Sequence, residues 1–257
     1  MLKNKNIMIM GIRNKWSIAY GAAKMAAKAG ANLIFTISKE ENVEKIDALV
    51  KDLNCNYSIH LCDVSDEAYI TKTFTEIKEK YNKIDGILHS IAHANTEDLR
   101  NDFINTSKSG FNHANDVSAF SLIAVARVAK ELDLLNEKAS IVTLTYLGAV
   151  RAINGYNIMG VSKAALEASV RYLAIDLGKV GMRINAVSAG PIKTLSAKGI
   201  KDFNKCLEVI ETQSPLKRNV TIEEVGGTVA FLFSELSSGI TGQTIYVDSG
   251  YSISSMN

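Results

Sequence analysis

Proline and cysteine are scarce in this chain, at two and three among 257 residues. Pro191 and Pro215 both fall in one late stretch, so no proline breaks a helix or strand before it. Cys55, Cys62 and Cys206 are odd in number and widely spaced, which argues against a disulfide framework. No CxxC spacing occurs, and His60 with Cys62 on alternate strand positions reads as a packed face, so no metal is expected. Charge of one sign is lacking too. Lys and Arg number 29 against 27 Asp and Glu, a formal net charge of +2 that gives no grip on nucleic acid or an anionic membrane. No apolar run approaches the ~18 residues of a membrane span, and the apolar part of MLKNKNIMIM is too short for a signal-peptide core. A cytoplasmic protein is expected.

What is present is globular in kind. Hydrophobic residues make up 47% and charged residues 22%, so the chain can bury a substantial core. Short apolar runs alternate with longer helical patterns from end to end. Strands are expected at 6–10, 32–37, 58–64, 86–91, 140–145, 183–187 and 244–247, and helices near 17–29, 41–53, 67–81, 112–135, 156–179 and 222–234. This alternation implies the α/β class: a doubly wound Rossmann domain, with a central parallel sheet covered by helices on both faces. Ligands of such sheets sit at the carboxyl ends of the strands. Without repeat, low-complexity tract or linker, residues 1–257 read as one domain.

The first expected strand ends at Gly11, and Ser17 and Gly21 complete a Gly-x5-Ser-x3-Gly loop opening a helix. Gly11 permits a sharp turn, and Ser17 can cap the helix and give its hydroxyl to a phosphate. Free amides at the helix start, around Ile18, favour a pyrophosphate together with the helix dipole. Ala19 and Gly21 are small enough for close packing of helix against strand. A structural turn with a serine cap accounts for the same residues. Cys62-Asp63-Val64 closes the third expected strand, with Asp63 suited to accept from an adenine amino group and Val64 to pack on its ring. In GILHSIAHA at 86–94, Ser90 and Ala92 are small where a strand end passes a ligand, as they also would be in an ordinary turn.

Tyr156 and Lys163 lie seven positions apart, about two helical turns, so both side chains project from one face. A phenol is a proton donor near pH 7, and a nearby ammonium is expected to lower its pKa. Lys163 can also hold the ribose hydroxyls of a nicotinamide half. Tyr-x6-Lys pairs are common by chance; this one follows the fifth strand of a chain whose first strand carries a phosphate loop.

Gly11, Ser17, Gly21, Asp63, Tyr156-x6-Lys163 and SAGPI at 188–192 together resemble the short-chain dehydrogenase/reductase superfamily. Within it, TLTYLG at 143–148, YNIMGVSKAALEASVRYLAIDLG at 156–178 and SAGPIKTLSAKGI at 188–200 resemble the enoyl-acyl-carrier-protein reductase branch. The likeness runs essentially the whole length, ending in FLFSELSSGITGQTIYVDSGY at 231–251. That branch carries a Tyr-x9-Tyr-x6-Lys pattern whose tyrosines flank the substrate, and it falls on Tyr146, Tyr156 and Lys163. Carbonyl reductases of the superfamily usually carry a serine about a dozen residues before the tyrosine; Thr143 stands near that place and could serve in the same way.

The resemblance implies hydride transfer from NADH or NADPH to the β-carbon of a trans-2-enoyl thioester on acyl carrier protein, in bacterial type II fatty acid synthesis. Tyr156 would donate to the enolate oxygen, worth ~3 kcal/mol. Lys163 would orient the cofactor, and Tyr146 would position the substrate, with Ala94 in the same pocket. Ile192 would hold the carboxamide through its backbone, and Thr194 would reach a phosphate. Residues near 193–212 resemble a substrate flap, with Leu195, Ile200 and Phe203 against the acyl chain; an ordinary amphipathic surface helix has the same pattern. Lys39 could welcome a 2′-phosphate or be a solvated charge, so NADH and NADPH stay open. His93 stands where many relatives carry an aromatic residue. Ala164, Ala165, Ala168 and Ser169 form a small-residue stripe, which the likeness assigns to a homotetramer interface and plain packing to the core. The alternatives in function are a carbonyl or 3-ketoacyl thioester reductase and a non-catalytic dinucleotide sensor.

Overall fold

A computed structural model describes residues 1–194 and 203–254. Seven parallel strands form one sheet: β1 Asn6–Met10, β2 Asn32–Ile37, β3 Tyr57–Leu61, β4 Ile84–His89, β5 Leu135–Thr145, β6 Arg183–Ala189 and β7 Thr244–Val247. Their order is β3-β2-β1-β4-β5-β6-β7. This is the doubly wound Rossmann sheet, and its order reverses between β1 and β4. A crevice must open there, at the carboxyl ends of those two strands.

The period-two pattern explains why both faces are covered. In β1, Ile7 and Ile9 face one layer while Met8 and Met10 face the other, all fully buried. The first layer takes α1 Ile18–Lys28, α2 Val43–Val50 and α9 Ile222–Phe233, through Ala22, Ala26, Ile46, Val50, Val229 and Leu232. The second takes α3 Glu67–Tyr81, α6 Ser121–Glu131 and α7 Asn157–Gly178, through Phe74, Ile77, Val125, Leu166 and Val170. Three further helices, α4 Thr96–Arg100, α5 Lys108–Asn115 and α8 Phe203–Gln213, lie among the connections.

Several boundaries differ from expectation. The third strand stops at Leu61, so Cys62-Asp63-Val64 follows it rather than closing it. The helix expected over 41–53 is α2 flanked by short 3-10 turns. The helix expected over 112–135 is α5, then a π turn at Asp116–Phe120, then α6, with β5 already begun at Leu135. α4 had no separate signal. No helix among the described residues is long and apolar enough to cross a membrane.

Gly21 packs on a different neighbour from the one expected. Ala19 is buried in the layer against β1, but a Cβ on Gly21 would lie 2.2 Å from the carbonyl oxygen of Ile222. The missing side chain therefore lets α1 meet the start of α9, where Thr221 and Glu224 form a capping box. Gly21→Ala is expected to cost about 1–3 kcal/mol and lower Tm by several degrees in thermal unfolding. An unchanged Tm would show that the two helices separate freely.

Candidate active site

The crevice between β1 and β4 is built from the glycine outward. Gly11 has φ +85°, and a Cβ there would lie 2.1 Å from the carbonyl oxygen of Ser90, so only glycine lets the two strand ends cross so closely. The loop then rises into α1, whose N-cap is Ser17 in extended conformation. The Ser17 hydroxyl accepts from the Tyr20 N–H at 3.3 Å and donates to the Asn14 carbonyl at 2.7 Å. The cap is as expected. Its hydrogen, however, closes the loop instead of pointing outward, so the amides of Ile18 and its neighbours are the group left to meet an anion.

The other strand ends bring further residues to the same edge of the sheet. Ser90, Ala92 and Ala94 follow β4, Ile192 and Thr194 follow β6, and Asp63 with Val64 follows β3. Asp63 Oδ1 accepts from both the N–H and the hydroxyl of Ser65, at 3.0 and 2.7 Å, so that oxygen is already engaged inside its own turn. Lys39, beyond β2, is exposed and lies 3.9 Å from Glu41. Leu195 and Ile200 lie outside the described residues, and of Phe203 only the backbone that opens α8 is described.

At the end of β5 and the start of α7 stand Tyr146, Tyr156 and Lys163. The two rings meet edge to face, 4.9 Å between centroids at 70°. Room for this comes from Gly148, where a Cβ would lie 2.4 Å from the Tyr156 ring. Lys163 is 6% exposed and donates to the Leu144 carbonyl at 2.7 Å. Glu167, one turn further along α7, is buried and accepts from the Thr145 hydroxyl at 2.7 Å. Tyr146 Oη lies 3.9 Å from Cys206 Sγ on α8, which ties that helix to the tyrosine pair.

The electrostatics depart from expectation in direction. Burial pushes the Tyr156 phenol above its ordinary range, and the lowering expected from Lys163 does not oppose it. Burial also pushes the Lys163 ammonium down to about 8, with Glu167 pulling weakly the other way. The Glu167 carboxyl is raised by burial, held back by Thr145 and by the nearby cations. A low-dielectric site favours the neutral form of each group. The phenol is thus a firm donor, and the amine is a cation whose charge fades in mild alkali.

Beneath these residues lies a network that sequence reasoning missed. His89 and His93 stand in HxxxH spacing, the only feature of metal-ligand type among the histidines, yet their rings part company. His89 is fully buried at the end of β4, with Nε2 2.8 Å from Ser121 Oγ and Nδ1 3.1 Å from Thr143 Oγ1. Ser121 Oγ also lies 2.7 Å from the Val117 carbonyl, so each hydroxyl bridges an imidazole nitrogen and a carbonyl, and the neutral ring donates to one hydroxyl and accepts from the other. Burial first, and Lys163 second, push the imidazole down to about 3, so it stays neutral. Thr143, also fully buried, is held between His89 Nδ1 and the His89 carbonyl. It turns its hydroxyl into the core, not into the crevice, which removes it as a stand-in for the carbonyl-reductase serine. Among the described residues, no three His, Cys, Asp or Glu side chains gather as a metal cluster.

Comparison with known proteins places this geometry. The family model described as enoyl-(acyl carrier protein) reductase matches residues 11–252. An enoyl-(acyl-carrier-protein) reductase (NADH) from Bacillus cereus is 50% identical, over 98% of this chain and 98% of its own. The corresponding NADPH enzyme from Staphylococcus aureus is 50% identical over 97% of both chains. The crystal structure of the Bacillus cereus enoyl-acyl carrier protein reductase with NADP+ and indole naphthyridinone matches with a TM-score of 0.96, at 49% identity and 99% coverage of each chain.

Proposed function

The chain belongs to the enoyl-(acyl carrier protein) reductase family, and from that premise we propose that it reduces the trans-2 double bond of enoyl thioesters at the expense of NADH or NADPH. The observation that carries this reading is the facing pair Tyr146 and Tyr156, with Lys163 buried about two turns further along α7 and the Thr143 hydroxyl withdrawn to His89.

The residues at the crevice fit a dinucleotide. Bare Gly11 clears the strand ends, and the start of α1 offers amides and a positive dipole end to a pyrophosphate. Asp63 and Val64 would border the adenine, Ser90, Ala92 and Lys163 the nicotinamide half, and Ile192 and Thr194 the carboxamide and a phosphate. Lys39 is the group that a 2′-phosphate would meet. When bound, the dinucleotide supplies the hydride that reaches the β-carbon. The protein's work is then to meet the charge that moves onto the thioester oxygen. Tyr156, kept protonated by burial, donates to that oxygen; Tyr146 and Ala94 hold the thioester in place; Lys163 adds positive charge from below.

Residues near 193–212 act in this proposal as a flap over the acyl chain, supported by the Tyr146–Cys206 contact, and residues 1–257 work as one catalytic domain. The substrate arrives on acyl carrier protein, as the relatives' names imply, in a cytoplasmic setting. A homotetramer is supported by an open groove between α5–α6 and α7, lined by Phe120, Ile123, Ala165 and Ser169, with exposed Tyr172 and Ile175 further along α7.

The test is to offer crotonyl and acetoacetyl thioesters separately and follow loss of reduced-cofactor absorbance. Turnover of the crotonyl thioester, with the ketone left untouched, is expected. Turnover of the ketone alone would overturn the proposal in favour of a 3-ketoacyl reductase, and binding without turnover of either would make the chain a sensor.

A further inference from the structure

The segment that leaves β4 runs along the crevice, and two side chains from outside it fix its course. Ser118, in the π turn between α5 and α6 and fully buried, grips one residue on both sides. Its oxygen accepts from the His93 N–H at 3.0 Å, and its hydrogen lies toward the His93 carbonyl at 3.1 Å. The His93 ring is tied separately. Its Nδ1 lies 2.8 Å from Nε2 of His113 on α5, with the rings at 78° and 5.0 Å between centroids. Either nitrogen can carry the hydrogen that the other accepts.

The charged groups around this pair come from three elements. Arg13, on the loop after β1, adds positive charge to His93. His113 does the same from α5, and Asp116, in the π turn, lines the same open groove as His113. Burial, then His113, then Arg13 hold the His93 imidazole below its ordinary proton affinity. None of these side chains has a part in the reduction chemistry described above.

We infer that His113 and Ser118 are positioning residues for the dinucleotide, clamping residues 90–94 along the crevice, and that acid opens the His93–His113 half of the clamp. The inference rests on the dinucleotide reading of that crevice. Its pH dependence follows from counting protons. With one added proton, one facing nitrogen still accepts, and the bond survives. With two, both facing nitrogens carry hydrogen, and attraction turns to repulsion. Arg13 makes the second proton harder to add, so the clamp holds at neutral pH and opens only in acid. Ser118 carries no titrating group, so its half is indifferent to pH.

Dissociation constants for NADH and NADPH, read by fluorescence at pH 7.5 and pH 5.0, test this on the purified protein. Wild type is expected to weaken about two- to ten-fold from the higher pH to the lower, the worth of one hydrogen bond. His113→Ala should be weaker by a similar factor at pH 7.5 and show a smaller pH ratio. His113→Gln, whose amide can donate or accept, should recover affinity at pH 7.5 without recovering the ratio. Ser118→Ala should be weaker at both pH values with the wild-type ratio intact. Comparing ratios between variants cancels any titration of the cofactor itself. If His113→Ala binds like wild type at both pH values, or keeps the wild-type ratio, the inference is overturned alone. A wild type that binds neither dinucleotide overturns it together with the proposed function.

Discussion

Tyr156→Phe is expected to lower kcat for a crotonyl thioester by about a hundred-fold or more, while the dissociation constant of the dinucleotide stays nearly unchanged. The phenylalanine keeps the ring, so the edge-to-face contact with Tyr146 and the space over Gly148 are preserved. Only the hydroxyl is lost. That hydroxyl is held protonated by burial, which makes it a donor to an oxygen gaining negative charge. A donor used only in the transition state shows in kcat and in kcat/KM together, not in binding. Thermal unfolding of the variant should stay close to wild type. Full activity in Tyr156→Phe would remove the phenol from the chemistry.

The second large effect belongs to Lys163 and is read as a pH profile. Its ammonium is pushed down to about 8 by burial, so the charge is present below that pH and lost above it. If the positive charge of Lys163 supports the reaction, kcat should fall as pH rises through about 8, by about ten-fold per unit beyond it. Lys163→Met, similar in length and uncharged, should lose about a hundred-fold at pH 7 and show no such alkaline limb. A wild-type rate that stays level to pH 10 would mean that the charge of Lys163 does no catalytic work. A limb that persists in Lys163→Met would assign the titration to another group.

The sheet was legible because most of its strands are buried on both faces and read as short apolar runs, and all seven expected runs are strands. The glycine loop was legible from Gly11 and Ser17, whose types suit a positive φ and a helix cap. Periodicity misled where local pattern yields to tertiary bonds. The stretch 112–131 keeps a helical rhythm through a π turn, from which Ser118 bonds out to His93 and directly after which Ser121 meets His89. The same holds for Thr143, which by spacing resembles a catalytic hydroxyl and in three dimensions serves His89. The direction of the Tyr156 shift could not be read from a lysine seven positions away, because burial sets it without any lowering from that charge, and burial is not a local property of the sequence. The HxxxH spacing of His89 and His93 is visible in the sequence; on a continuous strand both rings would share a face, and they part because β4 stops at His89. Gly148 gave a signal of its own, since a glycine two residues after Tyr146 marks a close approach.

A crystal structure of the protein with oxidised dinucleotide and a non-reducible enoyl-thioester analogue goes most directly to the point at issue. The Tyr156 hydroxyl should lie about 3 Å from the thioester oxygen, with the nicotinamide in the β1–β4 crevice and the Lys163 amine beside its ribose. A thioester bound with its oxygen out of reach of Tyr156, or a dinucleotide seated away from Gly11 and α1, would contradict the account.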